Sequence, residues 1–201
     1  YIIINPCNSV TLPKLPPKKG IQIFTVEEEK KFIKSLSSHR NRALFMLALG
    51  TGLRQGEILA LRWSDINFEE NELKVQRTFK RVQLINRDNS KNKTELIVQE
   101  PKTKNSKRTI PIPSAIAAEL KKHKIRQAEE KLKAGDIYVD NDLVFPNAIG
   151  EPTDAKNITR SYKRALKRAD ISYKNFHAMR HYVESSIMGS EYGFSYILSC
   201  F

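Results

Sequence analysis

The segment TGLRQGEILALRWSDI occupies residues 51–66 of a 201-residue chain and carries its most informative local pattern. A run of apolar residues precedes it, and Gly52 stands where a glycine can close a helix in the left-handed conformation. The apolar residues that follow predict a second, shorter helix over residues 55–61. Arg54 therefore falls at a turn between two helices, where its backbone is anchored and its guanidinium can reach into a cleft.

Two helices are predicted before this turn. Thr25 can cap the first, and Glu28, three residues later, completes a capping box. The apolar stripe of this helix consists of Phe32, Ile33 and Leu36. The second helix, over residues 41–49, is apolar around most of its circumference, which is typical of a buried helix. Gly50 and Gly52 are expected to end it.

After residue 66, the sequence predicts three strands followed by three helices. Strands are predicted over residues 72–82, 95–99 and 108–112, and helices over residues 113–133, 153–169 and from Asn175 onward. Helices thus come first, strands next and helices last. This order predicts an α+β fold, mostly helical, with a small antiparallel β-sheet.

Composition narrows the function classes. The chain has a net charge of +13 and a pI near 9.7, which favours a polyanionic partner such as nucleic acid. It contains no run of eighteen uncharged apolar residues, so no membrane partner is expected. Cys7 and Cys200 make neither a disulfide framework nor a CxxC metal site, which suits a cytoplasmic location.

Several common motifs are absent. The spacing of Gly50, Gly52 and Gly56 departs from a dinucleotide-binding loop, and no phosphate-binding P-loop sequence occurs. His177 and His181 are four residues apart, as zinc ligands on a helix often are, but no further ligand stands at a suitable spacing. We therefore expect no metal and no cofactor.

A second arginine-centred segment, HAMRH, occupies residues 177–181. His177 and Arg180 are three apart, on one face of a predicted helix. Together with Arg54 they form a set suited to phosphate, because guanidinium groups donate paired hydrogen bonds to phosphate oxygens and histidine exchanges protons near neutrality. The alternative is structural: Arg54 in a helix-end ion pair and His177 as a histidine whose hydrogen bonds serve only the fold.

These segments resemble the tyrosine recombinase (phage integrase) family. TGLRQGEILALRWSDI is similar to the first arginine box of that family, and HAMRH is similar to the start of its second box, HxxRH. Between them, PKTKNSKRTIP at residues 101–111 resembles the hairpin that carries the catalytic lysine. The resemblance covers residues 1–181 and implies an integrase-like catalytic domain.

The resemblance implies metal-free site-specific recombination of DNA, by integration or excision of a mobile genetic element. In that chemistry a tyrosine attacks a DNA phosphate and forms a 3′-phosphotyrosyl intermediate. Arg54 and Arg180 would bind the nonbridging oxygens, and His177 would assist proton removal from the nucleophile. Lys102 would protonate the leaving oxygen, with Lys104 as its rival because the loop alignment can shift by two residues. A supporting acid, Glu57, would orient the cluster.

Double-stranded DNA is the expected partner, together with other recombinase subunits in a tetrameric synapse if the chain is active. The side chains expected to contact DNA are Lys104, Lys107, Arg108, Lys121, Lys122, Lys163 and Arg164. Because such contacts neutralise phosphates, the binding is expected to weaken steeply with salt.

The chain departs from the family after the second box. RH is followed by Tyr182, where the family has a small or hydroxyl residue, and residues 182–201 contain no Lys or Arg. We expect residues 1–20 to be a linker from an N-terminal DNA-binding domain, residues 21–181 an incomplete catalytic domain, and residues 182–201 an atypical tail.

The nucleophile is therefore unknown from the sequence. The tyrosines near the second box are Tyr182, Tyr192 and Tyr196, and none stands in a matching motif. One hypothesis is an active enzyme whose tyrosine comes from the tail or from another subunit. The alternative is a non-catalytic DNA-binding remnant of an integrase. A basic RNA-binding protein is a third interpretation, which requires the ordered motifs to be coincidental.

Overall fold

A computed structural model describes residues 23–84, 93–99 and 107–188. The α-helices in these ranges are α1 (Val26–Ser35), α2 (Arg42–Thr51), α3 (Gln55–Leu59), α4 (Ser114–Ala134), α5 (Ala155–Arg168) and α6 (His177–Met188). The strands are β1 (Ile66–Asn67), β2 (Glu72–Val75), β3 (Thr78–Leu84), β4 (Lys93–Gln99) and β5 (Arg108–Pro111). The predicted α+β class, mostly helical with a small antiparallel β component, is confirmed.

The strands form two antiparallel sheets rather than one. β2 lies between β1 and β5, with Leu73 opposite both Ile66 and Ile110. β3 and β4 form a separate two-stranded ribbon, in which Phe79 is opposite Val98. The chain therefore leaves the three-stranded sheet after β2, builds the ribbon, and returns to the same sheet as β5.

The prediction of a single strand over residues 72–82 is wrong, because the chain changes sheet between β2 and β3. At that point Gln76 Nε2 donates to Asp65 Oδ1 at 3.1 Å and Arg77 Nη1 donates to Asp65 Oδ2 at 2.6 Å. Asp65 is buried, and a buried carboxylate requires such partners. The two side chains that satisfy Asp65 thus stand where the strand is interrupted.

The predicted capping box at the start of α1 is confirmed. The Glu28 N–H donates to Thr25 Oγ1 at 3.2 Å, and the Thr25 N–H donates to Glu28 Oε2 at 2.9 Å. The predicted apolar stripe of Phe32, Ile33 and Leu36 is buried, as is every residue of α2 from Ala43 to Gly50. Both helices therefore follow their sequence patterns.

The end of α2 differs from the prediction at Gly50. The helix continues through Thr51, and Gly52 alone takes the left-handed conformation, with φ of 62°. A Cβ atom on Gly50 would lie 1.9 Å from Ile116 Cδ1 of α4. Gly50 is therefore a packing position that lets α4 approach α2 closely.

The core is organised around α2, which contacts both α4 and α6. An aromatic cluster joins α1, α2 and α5: the Tyr162 ring centroid lies 5.7 Å from that of Phe32 and 5.8 Å from that of Phe45. Phe176 joins the cluster at 5.6 Å from Tyr162, immediately before α6 begins. The packing of Phe176 thus anchors the start of α6 to the core.

α6 crosses the expected boundary between residues 181 and 182 without a break and continues to Met188. The expected linker at residues 1–20 and the remainder of the expected tail, residues 189–201, lie outside the described ranges. None of the described helices combines the length and apolar character needed to cross a membrane.

Candidate active site

Gly52 directs Arg54 away from α2. Its left-handed backbone ends the helix, and its N–H donates to the Ala48 carbonyl at 3.1 Å. Arg54 follows in an extended conformation, and its carbonyl accepts from the Glu57 and Ile58 N–H groups at the start of α3. Because its backbone is held in this way, the side chain of Arg54 projects from the turn and is 55% exposed.

Glu57 joins Arg54 to Arg108. Its carboxylate accepts from the Arg54 N–H at 2.9 Å and from Arg54 Nη1 at 3.1 Å. The same carboxylate accepts from Arg108 Nη1 at 3.1 Å and Nη2 at 2.9 Å. Burial alone would raise the pKa of Glu57, but the hydrogen bonds from Arg108 and from the Arg54 backbone outweigh it and lower the pKa. Glu57 is thus an ionised anchor between two arginines.

Gly56 allows α3 to approach the ribbon. A Cβ atom at this position would lie 2.5 Å from Thr78 Oγ1 and 2.7 Å from the carbonyl oxygen of Phe79. A side chain here would therefore meet the backbone of β3. The absence of one keeps the first turn of α3, with Glu57, close to the strands.

Arg180 of α6 lies against the Gly52 turn. Its Nη1 donates to the Gly52 carbonyl at 3.1 Å, and its Nε lies 2.8 Å from Glu184 Oε1. A Cβ atom on Gly52 would lie 3.4 Å from Val183 Cβ and 3.7 Å from Arg180 Cγ. The two predicted arginines, Arg54 and Arg180, are therefore brought to the same turn from distant parts of the chain.

His177 begins α6 and is exposed. Its ring centroid lies 6.3 Å from that of His181, whose Nδ1 is 3.1 Å from Glu184 Oε2. Among the described residues, no group of three or more His, Cys, Asp or Glu side chains is arranged to hold a metal ion. His177 is thus placed on the same helix as Arg180, one turn earlier.

Tyr182 is buried, with 6% of its surface exposed, and its hydroxyl donates to Glu29 Oε2 of α1 at 2.7 Å. Burial, the hydrogen bond and the nearby carboxylate all raise the pKa of this phenol. A nucleophilic tyrosine must reach a DNA phosphate at the surface, and Tyr182 is not so placed. Tyr192 and Tyr196 lie outside the described residues.

The predicted DNA-contacting side chains fall into different settings. Lys102 and Lys104 lie outside the described residues. Exposed cations are Lys107 before β5, Lys121 and Lys122 on α4, and Lys163 and Arg164 on α5. Lys121 Nζ lies 5.5 Å from the ring centroid of Phe68, and Lys163 Nζ lies 4.8 Å from that of Tyr173. Arg108 differs, because it is partly buried against Glu57.

Sequence patterns did not identify three contacts that hold residues around the site. Glu184 pairs with Arg180 four residues earlier, a helical spacing that could have been recognised. The pairing of Arg108 with Glu57 joins residues 51 apart, and the pairing of Tyr182 with Glu29 joins residues 153 apart. Nothing local in the sequence signals these two contacts.

Residues 22–197 match the profile of the phage integrase family. The chain is 49% identical over 190 residues to a tyrosine recombinase XerC-like protein of Caldanaerobacter subterraneus subsp. tengcongensis, covering 90% of this chain and 48% of that protein. It is 30% identical over 196 residues to the integrase of Staphylococcus phage L54a, covering 87% of this chain and 52% of the integrase. The chain thus spans about half the length of these curated relatives.

Solved structures share the fold. The Tn1549 transposon integrase in complex with a circular intermediate DNA superposes with a TM-score of 0.67 at 18% identity, covering 90% of this chain and 58% of that one. The XerA recombinase superposes with a TM-score of 0.62 at 20% identity, covering 86% and 52%. At these identities the likeness supports the architecture alone.

Proposed function

The chain belongs to the phage integrase family, and on that premise we propose that it takes part in site-specific DNA recombination by cutting and rejoining strands through a 3′-phosphotyrosyl intermediate. The observation that carries this proposal is the contact of Arg180 with Gly52, two residues before Arg54. It brings the two arginines to one turn, where both can face a single phosphate.

Both guanidinium groups keep donors for a ligand. Arg54 uses Nη1 for Glu57, and Arg180 uses Nη1 and Nε for Gly52 and Glu184. The Nη2 group of each has no hydrogen-bond partner among the described residues. Anchored cations with spare N–H groups suit a phosphorane-like transition state, which gathers negative charge on the nonbridging oxygens.

In the proposed reaction, amino-acid side chains alone supply the nucleophile and transfer the protons. The tyrosine oxygen bonds to phosphorus as the bond to the 5′-oxygen breaks. The phenol proton passes to His177, and the Lys102 ammonium gives a proton to the 5′-oxygen, with Lys104 as the alternative donor. The products are a 3′-phosphotyrosyl link and a free 5′-hydroxyl, which attacks the corresponding link of a partner strand in the reverse reaction. Glu57 positions Arg54 throughout.

The nucleophile is proposed to come from Tyr192, Tyr196 or a tyrosine of another subunit in a tetrameric synapse. Tyr182 is left out because its hydroxyl is buried on Glu29. The buried Tyr182 also favours the second candidate function, a non-catalytic integrase remnant that retains DNA binding. The active recombinase and the non-catalytic remnant share one domain assignment, with residues 21–181 as the catalytic domain and residues 1–20 as a linker.

Duplex DNA is proposed to lie across the exposed cations of α4 and α5, namely Lys121, Lys122, Lys163 and Arg164. Lys107, beside β5, would extend this surface, and Lys104, which lies outside the described residues, is proposed to contact DNA as well. Arg108 is proposed to act mainly through Glu57, since that carboxylate engages both of its terminal nitrogens. Phosphate neutralisation by the exposed cations would supply most of the affinity.

A nicked suicide duplex tests the proposal, using DNA from the ends of the element that encodes the chain. The active enzyme forms a covalent protein–DNA adduct in which the nick prevents religation, and Arg54→Ala abolishes it. Salt-sensitive binding with no adduct, for every duplex tried, supports the remnant instead. Absence of both adduct and binding contradicts the proposal.

A further inference from the structure

We propose that Glu28 and Glu29 of α1 are positioning residues that hold both flanks of the segment carrying His177 and Arg180, and so set where these side chains face the phosphate. This inference rests on the proposed function. It concerns contacts between the first helix and the second arginine box that the reaction itself does not use.

The contact at Glu29 joins two buried polar groups. Tyr182 Oη donates to Glu29 Oε2 at 2.7 Å, and only 2% of Glu29 is exposed. Burial raises the pKa of Glu29, and the hydrogen bond from Tyr182 works in the opposite direction. A carboxyl group buried at such a cost needs its partner, so α1 and α6 are held together at this point.

The contact at Glu28 lies on the other side of the box. Lys174 Nζ is 3.0 Å from Glu28 Oε1, and Lys174 is buried. The second oxygen of Glu28 caps α1 by accepting from the Thr25 N–H. One carboxylate therefore fixes both the start of α1 and the approach to α6.

The two contacts bracket the site residues. Lys174 precedes His177 by three residues, and Tyr182 follows Arg180 by two. Lys174 lies just before α6 and Tyr182 lies within its second turn, so the two contacts together limit both the axial position and the rotation of the helix. The Arg180 hydrogen bond to Gly52 depends on both, since Val183 of the same helix also lies against Gly52.

A matched tyrosine separates positioning from simple stability. Tyr162 is also fully buried, but its hydroxyl has no hydrogen-bond partner among the described residues. Tyr162→Phe therefore removes a phenolic oxygen from the same core without releasing α6. Tyr182→Phe removes one from the contact with Glu29, and Glu29→Gln keeps an oxygen that can accept from Tyr182.

The experiment measures solvent exchange of the Arg180 side-chain N–H groups by ¹⁵N NMR in the 201-residue chain. It also measures the rate of adduct formation on the nicked duplex and the affinity for the same DNA. We expect Tyr182→Phe to speed Arg180 exchange and to slow adduct formation about 10-fold to 100-fold, with unchanged DNA affinity. Tyr162→Phe and Glu29→Gln should behave as wild type in all three measurements.

Unchanged Arg180 exchange in Tyr182→Phe overturns the proposal, whether or not the melting temperature falls, because a purely structural role predicts that result. Equal changes in Tyr162→Phe and Tyr182→Phe overturn it as well. A wild-type chain that forms no adduct contradicts the catalytic part of the proposed function. The exchange measurement needs no DNA, so it decides the positioning proposal in either case.

Discussion

Arg180 Nη1 donates a hydrogen bond to the backbone carbonyl of Gly52 across 128 residues of sequence. The contact joins the second arginine box to the turn that presents Arg54. Gly52 takes a left-handed conformation, with φ of 62°, and Val183 of the same helix as Arg180 packs against it. We propose that a phosphate bound at this turn would contact both Arg54 and Arg180.

The first prediction concerns the carboxylate that anchors this turn. The hydrogen bonds from Arg108 and Arg54 overcome the effect of burial and lower the pKa of Glu57. Its contribution to stability is therefore present above the pKa of the unfolded chain and is lost as the pH falls through the lower folded value. Glu57→Gln should reduce the free energy of unfolding by about 2 kcal/mol at pH 7.

Urea denaturation at pH 7 and below pH 4 measures this effect. The difference between wild type and Glu57→Gln should shrink progressively as the pH falls below 4.5, because the contribution of the ionised carboxylate is lost as folded Glu57 takes up a proton. Glu129→Gln, which changes an exposed carboxylate on α4, is the matched control and should leave the stability near wild type. A constant difference across this range would contradict the role given to the ionised Glu57.

The second prediction concerns His123 of α4. Burial, opposed by a hydrogen bond to the Val144 carbonyl, lowers its pKa from 6.5 to about 4. Because the folded state disfavours the protonated ring, the contribution of His123 to the free energy of unfolding is fully present above pH 6.5. It is lost as the pH drops toward 4. A difference of about 2.5 units corresponds to a loss of about 3 kcal/mol.

Chemical denaturation midpoints between pH 7 and 4 check the His123 prediction. His123→Gln should be less stable than wild type at pH 7 because its packing between Trp63 and Phe145 changes. It should also lose stability more gently as the pH falls. A variant that keeps the full wild-type pH dependence would show that other groups cause it.

A third prediction contrasts two glycines. A Cβ atom on Gly56 would meet the Phe79 carbonyl oxygen at 2.7 Å, and backbone cannot easily move. A Cβ atom on Gly50 would instead meet Cδ1 of Ile116, the end of a side chain that can rotate. Gly56→Ala should therefore destabilise by about 3 kcal/mol and Gly50→Ala by about 1 kcal/mol. Thermal unfolding of both variants measures this difference. A larger loss of stability for Gly50→Ala than for Gly56→Ala would contradict it and would show that α3 can shift away from β3.

Local signals predicted the helices well and the contacts between them poorly. The Thr25–Glu28 capping box, the apolar residues of α2 and the cap at Gly52 each depend on neighbours within a few residues, and all three are confirmed. The split between β2 and β3 escaped prediction because it depends on Asp65, more than ten residues earlier. A strand pattern alone does not contain that information.

In the candidate site too, the local motifs were predictable and the contacts between distant residues were not. The arginine boxes were recognisable as ordered motifs, but the partners that hold them are distant in sequence. The family resemblance implied Glu57 as a supporting acid, whereas its second partner, Arg108, follows only from the way β5 pairs with β2. The roles of Lys102 and Lys104 stay predictions, since both lie outside the described residues.

The fourth prediction concerns DNA binding. Lys121 and Lys163 are exposed on different helices, and each is proposed to neutralise a phosphate. In Lys121→Gln or Lys163→Gln, the negative slope of log K against log salt concentration should become less steep by about 0.9, with little dependence on DNA sequence. Lys31→Gln, on the exposed side of α1, is the control and should leave the slope unchanged. Fluorescence anisotropy at several salt concentrations measures it, and an unaltered slope in both test variants would remove α4 and α5 from the interface.

We propose that Arg54 and Arg180 bind the same phosphate, and a methylphosphonate scan tests this without requiring cleavage. Each linkage of a target duplex is replaced in turn by a neutral methylphosphonate, and affinities are measured for wild type, Arg54→Ala and Arg180→Ala. We expect a single linkage at which neutralisation removes the affinity difference between wild type and both variants. Two separate linkages, one for each arginine, would contradict it.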